Sequence, residues 1–600
     1  MASRIDPGEV GARLAGGYRE LTVAGMVLGL VQGVVLNLAF VYAALKLGFS
    51  IAGSTVAAIM GYALLTGLMK RGTSVENNIN QTIASGINTA GTGVVFTLPA
   101  LFMLDAKWRA EAGIGLEFSL WPIMIGGVAG AIMGTVLIIP LRKQMIELDR
   151  LRFPSGIAVT TIIRSGRAGI DKAKLLALGF LISMIWKLLL LSGWLDVPGI
   201  LEEEQWNYGF GLIPDYLSPV LYLSLMNMAA GMLTGKGGLP FLFGGILAWW
   251  VVSPVAVGAG WTPEGVEGAA LWGYIYGKML RPLGIGTLIG GALMGVVVCF
   301  PAIRSAFRSL AGATRTAALE RGADAREEMS LRWILLGTAV GMSLFFLGSL
   351  ASGGVGVVEA AAGTLVGTLW LAVAGLIVAQ ATGMTDISPM SGMALISVTL
   401  MMVLYSGNVA AAMVVGVAVC VAIGQGADMM QDLKTGFMLG ARPIKQQIVQ
   451  FAFTWIGVFI AIGAVYVLWT SGPGGQGGFG EGTPLPAPQA GALMGIIDAV
   501  TSGNVPSDKY IMGGVIGALL GAAPVAGLGV LVGLAMYLPF SITLGYGIGC
   551  LIHMALKKTK GTAFCEHKLV PFAAGLIVGE ALTGVGHATY SILITTLGRG

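Results

Sequence analysis

The chain has 600 residues, of which 55% are hydrophobic and 11% charged, with 94 glycines and a formal net charge of +5. A soluble domain carries about 25% charged residues, so a water-facing globule of this length is excluded. The apolar runs are continuous rather than alternating, which excludes a transmembrane β-barrel. Four widely spaced cysteines (Cys299, Cys420, Cys550, Cys565) form no CxxC, and three histidines form no HExxH. Neither a disulfide framework nor a metal site is therefore indicated, and no cofactor is expected.

The N-terminal 1–21, with Asp6 and Glu9 before the first apolar run, reads as a cytoplasmic tail rather than a cleavable signal. A first membrane half covers 22–303, with spans at about 22–46, 50–69, 82–104, 119–140, 175–195, 217–235, 239–259 and 283–303. A basic cytoplasmic connector follows at 304–332. The second half, 333–600, offers spans at about 333–352, 361–380, 389–405, 407–423, 446–470, 489–503, 510–536, 540–556 and 569–596. Several are short for ~30 Å of hydrocarbon and read as re-entrant or broken. The expectation is an all-α, polytopic helical membrane protein of about sixteen transmembrane segments.

Lysines and arginines gather near the N-terminus, at Lys70 and Arg71, and in the stretches Arg142–Lys174, Arg304–Arg332, Lys434–Lys445 and Lys557–Lys568. The acidic stretch Asp196–Asp215 and the Gly/Pro-rich stretch Ser471–Gln489 contain none. Cytoplasmic loops carry the excess of Lys and Arg, which puts the basic loops inside and these two outside. The expected location is the inner cell membrane. The charges serve topology, and no nucleic acid partner is expected.

Within this apolar background two polar runs stand out, Glu76–Gly86 and Ala427–Gly436. Asn77 and Asp428 lie 351 positions apart, and Pro154-Ser155 and Pro506-Ser507 lie 352 apart. These offsets suggest an internal repeat, an architecture of secondary transporters whose sites lie near the repeat interface. In the first run Asn77, Asn78, Asn80 and Gln81 supply amides, and Thr82 and Ser85 supply hydroxyls. Neutral groups of this kind can meet a peptide or chelate without burying net charge. The alternative is a cytoplasmic loop with an ordinary helix start, where Asn and Ser cap.

Further along, Thr385, Asp386, Ser388 and Ser391 surround Pro389, between Gly383 and Gly392. This reads as a broken helix whose freed backbone groups contact a ligand. Asp386 would there bind a proton, a coupling ion or a substrate amine. An Asx cap in a cytoplasmic turn is the rival. In the second polar run Asp428, Gln431 and Asp432 share a helix face, with Lys434 off it but close enough to partner a carboxylate. Arg442 and Lys445 place this run at the cytoplasmic boundary, so a salt-bridged gate or a solvated helix end competes with a coupling role. Glu580 is the lone acid of the last span, which reads by default as functional. His587, two turns on, suggests a relay, and a protonated structural Glu580 is the alternative.

The stretch ENNINQTIASGINTAGTGVVFTLP (Glu76–Pro99) resembles the signature of the oligopeptide transporter family, which includes the yellow-stripe-like metal-chelate carriers. So do TGMTDISPMSGMALI (Thr382–Ile396), ADMMQDLKTGFMLGARPIKQQ (Ala427–Gln447), MYLPFSITLGYGIG (Met536–Gly549) and FAAGLIVGEALTGV (Phe572–Val585). The NPG and KIPPR motifs of the peptide-transporting eukaryotic branch are absent, which places the chain nearer the prokaryotic and yellow-stripe-like branch. The resemblance implies a secondary active importer of oligopeptides or metal-chelate, siderophore-like molecules, coupled to H+, with roughly sixteen segments and a homodimeric assembly. On this reading Asp386, Asp432 or Glu580 carries the coupling proton in an alternating-access cycle. The competing classes are a cation-pumping, pyrophosphatase-like intramembrane enzyme and a channel. The former needs clustered aspartates for Mg²⁺ and phosphate, which the sequence does not display.

Overall fold

Helices form along the apolar runs and change direction where glycine, proline or polar sequence intervenes. The computed structural model describes residues 20–597 except 49–52, 70–71, 114, 149, 165–167, 198–199, 203, 292, 296, 299–327, 386–387, 389, 473–475, 481–482, 503–506 and 524–526. Most of the basic connector and nearly all of the N-terminal tail thus lie outside the described residues. Among those described, eleven helical stretches are long and apolar enough to cross a membrane. Shorter apolar helices lie at Gly53–Leu65, Gly392–Leu404 and Leu528–Tyr537. The protein is a polytopic, essentially all-α membrane protein, as its sequence implies.

The elements that build the site are α1 (Val23–Leu47), α2 (Gly53–Tyr62), α3 (Ser74–Val95), α4 (Ala168–Leu191) and α5 (Leu225–Thr234). From the second half come α6 (Val357–Thr385), α7 (Met390–Leu404), α8 (Val409–Leu439), α9 (Pro443–Phe453), α10 (Ile456–Thr470) and α11 (Val570–Leu597). Between α4 and α5 the chain forms a small antiparallel sheet of β1 (Leu201–Glu202), β2 (Gln205–Asn207) and β3 (Val220–Tyr222), in that order. Leu201 pairs with Trp206, and Trp206 with Leu221.

The span placed at 217–235 opens with the strand Val220–Tyr222 and becomes helix only at Leu225, and the span placed at 510–536 is two helices, Ser507–Gly521 and Leu528–Tyr537. Two further differences from the hydropathy reading matter for function. The span placed at 82–104 begins at Ser74, because Thr73 caps the helix by accepting from the Glu76 N–H at 3.1 Å. The whole polar run Glu76–Gly86 is therefore helix interior, and the capping-loop alternative does not hold. The span placed at 407–423 continues to Leu439, stopping only where Gly440 adopts φ 77°. A glycine in this left-handed conformation is a common helix terminator. The Asp428 run is thus enclosed within a long helix.

That helix, α8, is the axis of the molecule. Its most apolar window is wholly buried by protein, chiefly by the Leu120–Ile138 helix, α3, α6 and α7. Small residues permit the approach: a Cβ added at Gly130 or Gly134 would lie 2.2 or 2.3 Å from the Ala418 or Ala422 carbonyl oxygen. The same device joins α4 to α11, where Gly575 and Gly179 lie against the Leu176 and Phe572 carbonyls. Association of helices in lipid rests on such close packing, since lipid tails are as apolar as the helices themselves.

Candidate functional site: two buried polar centres

The first centre lies where the two polar runs meet. Ser85 on α3 donates to Asp428 Oδ1 on α8 at 2.5 Å, and the Ser85 and Ser54 hydroxyls meet at 2.8 Å. Gln425 donates to the Gly86 carbonyl at 2.6 Å, and Gln446 of α9 donates to Thr82 Oγ1 and to the Asp432 carbonyl. Residues 343 apart in sequence are thereby brought to one point. Asp428 stands 11 residues before the end of α8, about 16 Å along the axis at 1.5 Å per residue. Both aspartates are buried within the protein, so the run is not a solvated helix end.

The amide run divides by face. Asn77 donates to the Ala58 carbonyl at 3.0 Å, and Asn80 lies against Gln32 and the Ala57 carbonyl. These two tie α3 to α1 and α2. Asn78, Gln81, Thr82 and Ser85 belong to the other side: Gln81 donates to Asn78 Oδ1 at 3.2 Å, and its amide and the Ser54 and Ser85 hydroxyls face Asp432. Asn78 Nδ2, Gln81 Oε1, Asp428 Oδ2 and both Asp432 carboxylate oxygens are buried without an ordinary hydrogen bond. Among the described residues no lysine or arginine pairs with either aspartate. Lys434, half-buried, stands 6.0 Å over the Phe437 ring instead of partnering a carboxylate, and Gln431 is half-buried beside it.

Such an arrangement is unusual in energetic terms. A buried polar group left unpaired costs about 1–3 kcal/mol, and an ionised one more. Two carboxylates one helical turn apart add mutual repulsion. The centre is consistent with groups that acquire a proton or ligand during a cycle.

The second centre surrounds Glu580 and contains residues that the motif reading passes over. Glu580 on α11 accepts from Lys46 Nζ at 3.0 Å, Ser224 Oγ at 2.6 Å and the Met226 N–H at 2.8 Å. Lys187 of α4 pairs with Glu204 Oε1, whose second oxygen lies 3.6 Å from Lys46 Nζ. Lys46 also stands 4.5 Å over the Tyr222 ring. Glu580 is thus alone in its span but not in space, and its charge is compensated. His587, seven residues on along α11, is exposed, whereas Glu580 is buried. Lys46 and Lys187 had a readable signal: an ionisable residue within an apolar span is a functional candidate by default.

At the third sequence candidate, α6 ends at Thr385 and α7 begins at Met390, as a broken helix requires. The Thr382 and Ser388 hydroxyls meet at 2.6 Å. Thr385 and Ser391 lie on the two helix ends, and Asp386 is outside the described residues.

The model of the OPT oligopeptide transporter protein family matches residues 20–589, and so includes both centres. The chain belongs to the oligopeptide transporter family. It is 27% identical to the "Putative oligopeptide transporter" of Haemophilus influenzae over 91% of each chain. A Saccharomyces cerevisiae family member of the same description is 24% identical, over 85% of this chain and 87% of that protein. The metal-nicotianamine transporter YSL2 of rice matches 42% of this chain and 43% of its own length at 27% identity. Family membership makes the chain a transporter rather than an enzyme.

Proposed function

We propose that the protein is a secondary active importer of short peptides or metal chelates, driven by protons through the Asp428–Asp432 pair. The observation that carries this reading is the pair's burial without a counter-charge, beside the Gln81 and Ser85 side chains. Two carboxylates in a site of low polarity need a compensating proton or cation. Of the acids that the sequence offers for coupling, Glu580 is neutralised by Lys46, which favours the aspartates. Asn78, Gln81, Thr82 and Ser85 are the groups of the amide run best placed to meet cargo, whereas Asn77 and Asn80 hold helices together. The basic-loop distribution supports a cytoplasmic N-terminus in the inner membrane, and the family resemblance supports a homodimer.

Proteoliposomes loaded without ATP and given an inward acid step test this directly, with labelled tripeptides and iron-chelate complexes as cargo. Uptake should accelerate with the pH step. In Asp428→Asn and Asp432→Asn, uptake should lose its dependence on that step. Unchanged pH dependence in both variants would refute the coupling assignment, and phosphate release from pyrophosphate would refute the transporter class.

A further inference from the structure

The second centre has a charge balance that depends on one loop. The helices contribute Lys46, Lys187 and Glu580, all nearly inaccessible. By themselves they bury one positive charge in excess. Glu580 is saturated by three donors, from α1 and from the start of α5. The fourth charge, Glu204, lies immediately before β2, which pairs with β1 through Glu202 and Gln205.

Glu204 is held differently from Glu580. Its φ is +66°, a left-handed conformation that is uncommon and strained for a residue with a side chain. One oxygen pairs with Lys187, and the other lies 3.6 Å from Lys46, with the Tyr222 hydroxyl facing the carboxylate. Burial alone would raise its carboxyl, but the lysines outweigh this and hold it below the usual carboxylate range, so it stays anionic. A strained backbone at Glu204 thus delivers a carboxylate to two lysines that the helices leave undersupplied. Strain that persists in a fold points to a functional constraint.

We propose that Lys46 and Lys187 form a carboxylate-binding site that Glu204 fills as a tethered ligand. A carboxylate of the transported molecule displaces the Glu204 carboxylate from the two lysines. Naming the incoming carboxylate as the cargo's rests on the transport reading above; the anion site itself does not. Peptides and metal chelates both carry carboxylates, so one site serves either class.

The test is chemical rescue. Glu204→Gly removes the carboxylate and suits the positive φ. Its thermal unfolding is compared in sodium acetate and in sodium chloride of equal ionic strength, alongside wild type and Glu204→Gly/Lys187→Met. The expected result is an acetate-specific rise of several degrees in Glu204→Gly alone, because a ligand that binds only the folded state stabilises it. Recovery of Glu204→Gly as folded protein only in acetate supports the site equally. An equal response of all three proteins, or aggregation of Glu204→Gly in both salts, overturns it. Uptake of a tripeptide acid against its C-terminal amide separates the two readings. Rescue without a preference for the acid keeps the anion site and removes the cargo assignment, whereas transport without rescue removes the site alone.

Discussion

Lys46 brings its ammonium to the last turn of α1, where it meets Glu580, Glu204 and the face of Tyr222. Removing one partner of a buried pair leaves the other uncompensated, at a cost of about 3–5 kcal/mol. Glu580→Gln and Lys46→Met should each lower the unfolding temperature markedly, and the double variant should lose less than the sum of the two. A double-mutant cycle by thermal unfolding checks this. Glu204 supplies a pH signature. Because its folded carboxyl sits below the usual range, the stability it contributes is fully present above the unfolded pKa of about 4.3 and is lost as pH falls through the lower folded value. Wild type should therefore lose stability relative to Glu204→Gln on acidification below about pH 4.5, as unfolding temperatures against pH will reveal. Within the amide run, Asn77→Ala severs a tie to the Ala58 carbonyl and should cost about 1–3 kcal/mol while leaving the pH-step dependence of uptake intact. Gln81→Ala should do the reverse, changing transport more than unfolding temperature.

At the scale of elements, much of the site was readable before any coordinates, but its depth was not. Asn78, Gln81, Ser85, Asp428 and Asp432 were marked by polarity within apolar sequence, and they converge. Hydropathy began α3 eight residues late because the amides of its first turns resemble a loop, although Thr73 with its N–H acceptor role signals the true start. Likewise Arg442 and Lys445 drew the Asp428 run toward the boundary, whereas Gly440 sets the end of α8. Lys187 and Glu204 were invisible as partners, since Glu204, just before β2, meets Lys187 of α4 only in the folded chain. The α4–α11 contact makes a sharp prediction at this scale. A Cβ at Gly575 would fall 2.0 Å from the Leu176 carbonyl oxygen, a collision with backbone that no rotamer relieves. Gly575→Leu should force the helices apart and give aggregated protein by size-exclusion chromatography, whereas Gly586→Leu, which faces open space, should remain monodisperse.

For the whole molecule, composition fixed the solvent and the class, and long signature stretches indicated the family. Pairings between distant helices were beyond reach because in a membrane every helix is apolar, so hydrophobic patterning no longer distinguishes core from lipid face. The folded chain resolves that ambiguity most clearly at its axis. The apolar window of α8 is entirely covered by protein, whereas that of Asp171–Leu191 in α4 is only 22% buried. At 31 residues α8 is about 46 Å long, well beyond the ~30 Å of hydrocarbon. A lipid-facing helix of that length would have to tilt or thicken the bilayer around it. Along that window α8 meets protein rather than lipid, so acyl-chain length will act chiefly on the outer helices, and the buried aspartates will be insulated from it.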